Sequence, residues 1–399
     1  MKTVCDSHMC TQCKACADIC PKKAIDIIDE IDKGYALIDE TLCINCKLCE
    51  EVCQVTNPTK LFPVISWHQG WANDSIRRNS SSGGFASAII KSFVQQGGFV
   101  SSCILHNGEF VYETTNEVEN LQRFVGSKYV KSNPLGTYIK IKKLLMERNS
   151  VLFVGLPCHA AALRNFTSKI NCEKLFIIDL ICHGSPSPQL LKMALEDYGV
   201  KVENVSNISF RQKGQFSLKS NAMSIVPRGV QDRYTIGFLD GLFYTENCYS
   251  CIYARTDRVG DLTIGDSWGT DLVDESENGV SLALCQNSKG KQLLDSAELE
   301  LFPVDIEKAI EANKQLKSPA KEMPQRKSFF QDIKKGKGFR VATFKALPKR
   351  CFRQGVKGFL IKRKTSWGGE KYCITYEISS SNPLRQTGLS DKSVGTKEK

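Results

Sequence analysis

Eight of the eighteen cysteines in this 399-residue chain fall within residues 10–53, in two runs of identical spacing. The first is Cys10-x-x-Cys13-x-x-Cys16-x-x-x-Cys20, followed by Pro21; the second is Cys43-x-x-Cys46-x-x-Cys49-x-x-x-Cys53. A C-x2-C-x2-C loop is short enough to set three thiolates around one face of an iron–sulfur cube, while the fourth cysteine lies too far along to close the same cube comfortably. Structural zinc and disulfides are the competing uses of so many thiols. Zinc sites favour paired C-x2-C knuckles, often with histidine. The segment Met1–Asp6 lacks the apolar stretch of an export signal. The cysteines are therefore expected to be metal ligands in a reducing cytoplasm.

Two strands are predicted between the runs, Ala24–Ile28 and Tyr35–Asp39, joined by a turn at Asp32-Lys33-Gly34. Residues 1–60 resemble a bacterial two-cluster ferredoxin. In such proteins the fourth cysteine of each run ligates the other cluster. The resemblance assigns Cys10, Cys13, Cys16 and Cys53 to one [4Fe–4S] cluster and Cys43, Cys46, Cys49 and Cys20 to a second. Gln54 stands where that family usually has proline, a departure that removes no ligand.

Residues 55–65 read as a linker. Beyond it, Ser80-Ser81-Ser82-Gly83-Gly84 precedes a helical pattern over Phe85–Gln96, with a stop at Gly97-Gly98. Phe99–Leu105 and Glu109–Thr114 form a predicted hairpin around Asn107-Gly108. A helix is expected over Gly136–Met146. Val151–Gly155 is a buried-strand pattern running into Leu156-Pro157-Cys158-His159 and a helix. Lys174–Ile181 repeats this, followed by Cys182-His183-Gly184 and a helix from Pro188 to Tyr198. Strands alternating with helices imply βαβ units around a largely parallel sheet. Ligand sites gather at the carboxyl ends of such strands, where Cys158 and Cys182 both sit. Val205–Arg211 and Tyr234–Phe238 are further strand candidates, and 305–317 reads as helical. Cys248-x-x-Cys251 adds two more thiols. From the residues alone, these four cysteines suit a cluster, a zinc ion or small buried hydrophobes. Cys5, Cys103, Cys172, Cys285, Cys351 and Cys373 match no ligand spacing and are read as structural.

Four motifs occur in order: Ser80-Ser81-Ser82-Gly83-Gly84-Phe85, Gly155-Leu156-Pro157-Cys158, Cys182-His183-Gly184, and Cys248-x-x-Cys251 with Gly265-Asp266-Ser267-Trp268-Gly269. Together they are similar to the beta subunit of coenzyme F420 hydrogenase/dehydrogenase over roughly residues 65–320. The resemblance implies a flavoprotein with FAD and a third [4Fe–4S] cluster held by Cys158, Cys182, Cys248 and Cys251. It implies that Ser81, Ser82, Gly83 and Gly84 cradle the FAD pyrophosphate at a helix N-terminus; a plain Ser/Gly helix cap is the alternative. Lys128 is a candidate for neutralising phosphate or a reduced flavin, or is an ordinary surface lysine. His159 and His183, each beside a proposed ligand, are the other catalytic candidates. Many members of the family have glutamine where this chain has His159. Asp266 either orients a ligand or closes a turn.

Hydrophobic residues make up 41% of the chain, a usual value for a globular protein. The longest apolar stretch, around Leu175–Cys182, is far too short to span a bilayer. Residues 321–399 carry 20 Lys+Arg against 6 Asp+Glu, a net +14, while the remainder is −3. This basic end is expected to be a solvated tail, disordered from about residue 380. No nucleic-acid-binding motif accompanies it. The expected fold is an α+β ferredoxin-like domain (1–60), then an α/β domain with a largely parallel sheet (61–320) and the basic region (321–399). The expected function is that of an iron–sulfur flavoprotein oxidoreductase, moving electrons between ferredoxin-type clusters and an organic acceptor through FAD. Its partner is a redox protein or a small-molecule acceptor. The alternative is an electron-transfer subunit of a larger complex with no small-molecule substrate of its own.

Overall fold

The computed structural model describes residues 2–221 and 223–365. In the N-terminal module, β1 (Ile25–Asp29) and β2 (Gly34–Ile38) form an antiparallel hairpin with Ile27 opposite Ala36. The two cysteine runs fold alike. Gln12 and Lys14 in the first, and Asn45 and Lys47 in the second, have φ of 54–63°. Each run then enters a five-residue helix, Ala15–Ile19 or Leu48–Val52, which ends at its fourth cysteine in extended conformation. Left-handed backbone costs a non-glycine residue roughly 1–2 kcal/mol. Its recurrence at matched positions shows that the cysteine spacing, not residue propensity, dictates these loops.

The remainder is built on an eight-stranded sheet. Its strands are β3 (Ser66–Ala72), β4 (Phe99–His106), β5 (Glu109–Thr115), β6 (Val151–Gly155), β7 (Leu175–Leu180), β11 (Leu262–Asp266), β12 (Ser281–Cys285) and β13 (Leu299–Phe302), in spatial order β13-β3-β12-β11-β7-β6-β4-β5. β4, β6, β7 and β11 are mutually parallel; the strands outside them pair antiparallel. The expected parallel sheet is thus the centre of a mixed one. The all-buried β6 explains its uninterrupted apolar run. A small antiparallel sheet, β8 (Ile208–Gln212), β9 (Gln215–Ser220) and β10 (Met223–Ser224), stands apart.

Two expectations are corrected. Tyr234–Phe238 is not a strand but part of the helix Arg233–Leu239, capped by Asp232, whose carboxylate accepts from Thr235 N at 2.8 Å. All five of these residues are buried, so the helix shows no polar face and its period cannot be read. The basic segment after Lys321 is also not a simple solvated tail. It forms helices Arg326–Lys334, Phe339–Ala346 and Pro348–Thr365, and Phe329, Phe330, Ile333, Phe339 and Ala342 are buried in the same core as Tyr234 and Phe243. A charge count averages over a helix and hides an apolar stripe. The disorder expected from about residue 380 lies outside the described residues. Among the described residues, no helix is long and apolar enough to cross a membrane.

The N-terminal module is docked on the rest of the chain. Tyr138 Oη donates to Cys13 O at 2.8 Å, Gly136 N to Asp18 at 2.8 Å, Ser187 Oγ to Asp29 at 2.6 Å and Arg326 Nη2 to Asp32 O at 2.8 Å. Behind the sheet ends, Arg258 and Asp179 form a buried ion pair at 3.1 Å, with side chains 1% and 0% exposed. Arg258 also donates to Tyr253 O and Leu180 O, both at 2.6 Å, tying the Cys251 loop to β7. Removing one member of such a pair leaves a buried uncompensated charge, at a cost of roughly 3–5 kcal/mol. Arg258→Met is therefore expected to lower the unfolding free energy by about that amount in urea titrations. A loss below roughly 1 kcal/mol, the value of an exposed pair, would show that the pair is not isolated from solvent.

Candidate redox site

Cys10, Cys13, Cys16 and Cys53 are all buried and line one small cavity. The crossover cysteine of the second run thus lies with the first three of the first run. The backbone amides of Gln12, Ala15 and Ala17 lie near the sulfurs of Cys10, Cys13 and Cys16 and favour the thiolates. Burial opposes this and pushes Cys13 up to about 12. Four thiols with amide donors form the ligand set a four-iron cube takes. Among the described residues, no group of three or more His, Cys, Asp or Glu is placed to hold a metal ion; a cube spaces its thiolates more widely than one tetrahedral ion does. In the other set, Cys20, Cys43 and Cys49 are partly buried and Cys46 is exposed. There Asn45 N donates to Cys43 Sγ at 3.4 Å, repeating the amide pattern.

Cys5 is a surprise in this region. Read as structural, it lines the same cavity and its thiol hydrogen-bonds Cys10 and Cys53. Its distance in sequence from Cys10 fits no ligand spacing, so only the pairing of the N-terminal segment with β2, through Val4 N to Ala36 O at 3.1 Å, brings it in. Of the other cysteines read as structural, Cys285 and Cys351 are buried, Cys172 donates to Thr167 O at 3.2 Å, and Cys103 borders the large cavity described next. Cys373 lies outside the described residues.

Cys158, Cys182, Cys248 and Cys251 are also brought together. Cys158 is the second residue of helix Pro157–Thr167, directly after β6, and Cys182 follows β7. Burial raises the pKa of Cys158, and the charges of Cys182 and Cys251 raise it further; Cys182, pushed up to about 12, feels Cys248 and Cys251 in turn. Cys248 Sγ accepts from Ser185 N at 3.5 Å. Cys13 also raises Cys158, so this third set adjoins the first. Tyr253 stands beside both, sensing Cys158, Cys251, Cys13 and Cys53, and its hydroxyl donates to Gln54 Oε1.

Cys182 also lines a cavity of about 720 Å³ at the carboxyl ends of the parallel strands. This is within the usual range of cofactor pockets. Its walls include Ser81, Ser82, Gly84, Lys128, His183, Arg211 and Trp268. Gly84, with φ of 94°, opens the eleven-residue helix Phe85–Gln95, whose first turn faces the cavity. No side chain caps that end, leaving its N–H groups and positive dipole for an anion. Gly83 differs from its expected role. It does not line the cavity; a Cβ there would stand 2.4 Å from Gly70 O and 2.6 Å from Ser281 N. It is needed for close packing on β3 and β12. Lys128 Nζ donates to Phe124 O at 2.6 Å and Val125 O at 3.1 Å, and burial lowers its pKa to about 8.

The two histidines separate. His183 reaches the cavity, and burial lowers its pKa. His159 does not line it. It is fully buried, its Nδ1 lies 3.1 Å from Tyr112 Oη, and burial pushes its pKa down to about 3, so it is neutral at pH 7. Asp266 holds Arg211 Nη1 at 2.8 Å, and that guanidinium stands over the rings of Phe216 and Trp268. Tyr129 stacks on Phe238 at 4.4 Å beside them. Sequence reasoning missed Arg211, Tyr129 and Phe216. Arg211 and Phe216 lie on β8 and β9, far along the chain from any cysteine, and Tyr129 lies in the loop after Lys128; only the fold brings the three to the cavity.

Residues 9–57 match the 4Fe-4S dicluster domain, and residues 148–305 match the family described as the C terminus of the coenzyme F420 hydrogenase/dehydrogenase beta subunit. The chain is thus similar to that beta-subunit family over residues 148–305, with an iron–sulfur dicluster domain at its N-terminus. It is 27% identical over 293 residues to the F subunit of the F(420)H(2) dehydrogenase of Methanosarcina mazei, covering 66% of this chain and 79% of that protein. A chain from the F420-reducing [NiFe] hydrogenase complex of Methanosarcina barkeri is 17% identical. It aligns with 64% of this chain and 91% of its own length, with a TM-score of 0.46. The dicluster match supports [4Fe–4S] clusters within the first sixty residues.

The depressed pKa of Lys128 makes a testable statement about the ligand-free protein. Between about pH 8 and the unfolded value of 10.5, the unfolded chain holds a proton that the folded chain has released. Stability therefore rises with pH across that window, and the cost of the buried ammonium is complete below it. The stability of Lys128→Met relative to wild type is expected to fall as pH rises through the window in urea titrations. A pH-independent difference would show that Lys128 is not buried as a cation.

Proposed function

We propose that the protein is an iron–sulfur flavoprotein oxidoreductase that moves electrons between its clusters and an organic acceptor through FAD. The observation that carries this is the succession of thiol sets. An outer set with Cys46 exposed is followed by the buried Cys10/Cys13/Cys16/Cys53 set, then by Cys158/Cys182/Cys248/Cys251, whose Cys182 borders the cavity. Twelve thiols in three sets of four suit three four-iron clusters. The exposed outer set is the side from which a redox partner protein exchanges electrons.

In the cavity, the first turn of helix Phe85–Gln95 with Ser81 and Ser82 holds a pyrophosphate. Lys128 and Arg211 add positive charge, and Tyr129, Phe216 and Trp268 offer ring faces. When bound, FAD supplies the exchange between one-electron carriers and a two-electron acceptor. His183 is the residue placed to hold or move a proton beside it. The cavity also favours a small-molecule acceptor over a purely protein-to-protein relay. The likeness to an F(420)H(2) dehydrogenase protein makes a deazaflavin one acceptor to try.

Anaerobic purification is expected to give about twelve irons per chain, with stoichiometric FAD, and Cys251→Ser about eight. In that variant, flavin reduction through the remaining clusters should slow sharply while their own signals persist. Eight irons in wild type with FAD fully bound would remove the third cluster from the reading.

FAD affinity carries a pH signature. The cationic form of Lys128 favours the bound pyrophosphate, so FAD binding should weaken as pH rises above about 8. Fluorescence titration checks this, and Lys128→Met should both weaken binding and reduce the slope. An unchanged slope would place the anion elsewhere.

A further inference from the structure

Lys131 lies between two of the thiol sets and is only 6% exposed. Its Nζ donates to Thr11 O at 3.2 Å, to Thr245 Oγ1 at 2.7 Å and approaches Asn247 Oδ1 at 3.4 Å. Thr11 sits inside the first cysteine run; Thr245 and Asn247 immediately precede Cys248. Its backbone N donates to Pro186 O at 2.9 Å, on the loop that follows Cys182. All three side-chain partners are neutral oxygens, so no carboxylate offsets the ammonium among them. Burying an ion without a counter-charge is costly. The anions near it are the thiolates of the two ligand loops that its contacts bridge.

We propose that Lys131 is the shared counter-charge of the first and third clusters, fixed between their loops so that it favours the reduced form of both. The proposal rests on the cluster reading above. Adding an electron makes a cluster more negative, and a buried cation beside it lowers the energy of that state. Removing the charge must lower the reduction potential of both clusters. The outer cluster, whose cysteines lie in neither loop that Lys131 joins, must feel it least. Lys131 is a positioning residue in this account: it tunes the path without carrying electrons.

The test uses the full chain, purified anaerobically with its clusters, in wild-type, Lys131→Gln and Lys131→Arg forms. Glutamine keeps a donor for Thr11 O and Thr245 but has no charge; arginine keeps the charge. Iron is counted, and cluster potentials are read by redox titration followed by electron paramagnetic resonance. In Lys131→Gln the first and third clusters should become at least tenfold harder to reduce, a shift of about 59 mV for one electron. The outer cluster should stay put, and Lys131→Arg should remain near wild type. Iron-replete Lys131→Gln with unchanged potentials overturns the proposal and leaves the cluster reading intact. An equal shift in both variants also overturns it, because packing rather than charge would then be responsible. If glutamine loses iron while arginine keeps it, the charge is required even to assemble the pair, which supports the proposal. Wild type without iron overturns the cluster reading and this proposal together.

Discussion

Buried thiolates repel one another, and the architecture around these cysteines answers that repulsion. Burial alone raises a thiol pKa, and neighbouring thiolates raise it further, as at Cys16 and Cys158. The chain offers three compensations. Left-handed turns at Gln12, Lys14, Asn45 and Lys47 shape the loops in which amides meet the sulfurs. Lys131 brings a cation between two sets. Four-iron clusters, for which the dicluster match argues in the first sixty residues, supply the remaining positive charge.

The parallel centre of the sheet decides where the third thiol set meets the cavity. β6 and β7 are neighbours in register, Gly155 beside Asp179, so the loops after them emerge at one edge. Cys158 and Cys182 therefore approach although 24 positions separate them in the chain. The Arg258–Asp179 pair fixes the Cys251 loop to the same edge. Cys182 ends up beside its companion thiols and the cavity at once.

The Ser80–Gly84 segment shows how one stretch can serve two demands. Gly84 starts a helix whose free N–H groups face the cavity, whereas Gly83 is required because a Cβ there would come within 3 Å of backbone in β3 and β12. The same economy appears at Asp266, which holds Arg211 in place while Arg211 presents its face to Phe216 and Trp268. Residues that a motif groups together thus divide between building the wall and reaching the cavity.

Local chemistry was legible in the chain itself. Repeated cysteine spacing announces thiolate ligation, and apolar runs ending in Cys158 and Cys182 announce strand ends, because ligand reach and strand burial are set within a few residues. The hairpin at Asn107-Gly108 and the helix after Gly84 follow for the same reason. Other features needed the tertiary structure. The helix at Tyr234–Phe238 is buried on every side, so its period leaves no trace. The basic helices after Lys321 hide an apolar stripe beneath their charge. Cys5, Lys131 and Arg211 obey no spacing; they matter through what folds against them. His159 leaves the cavity because its position on helix Pro157–Thr167 turns it toward Tyr112. Sequence determined which groups can bind metal, since donor type and loop length are local properties. Only the fold decided which of them face one another, share a cation or reach the cavity, since those depend on distances between segments far apart in the chain.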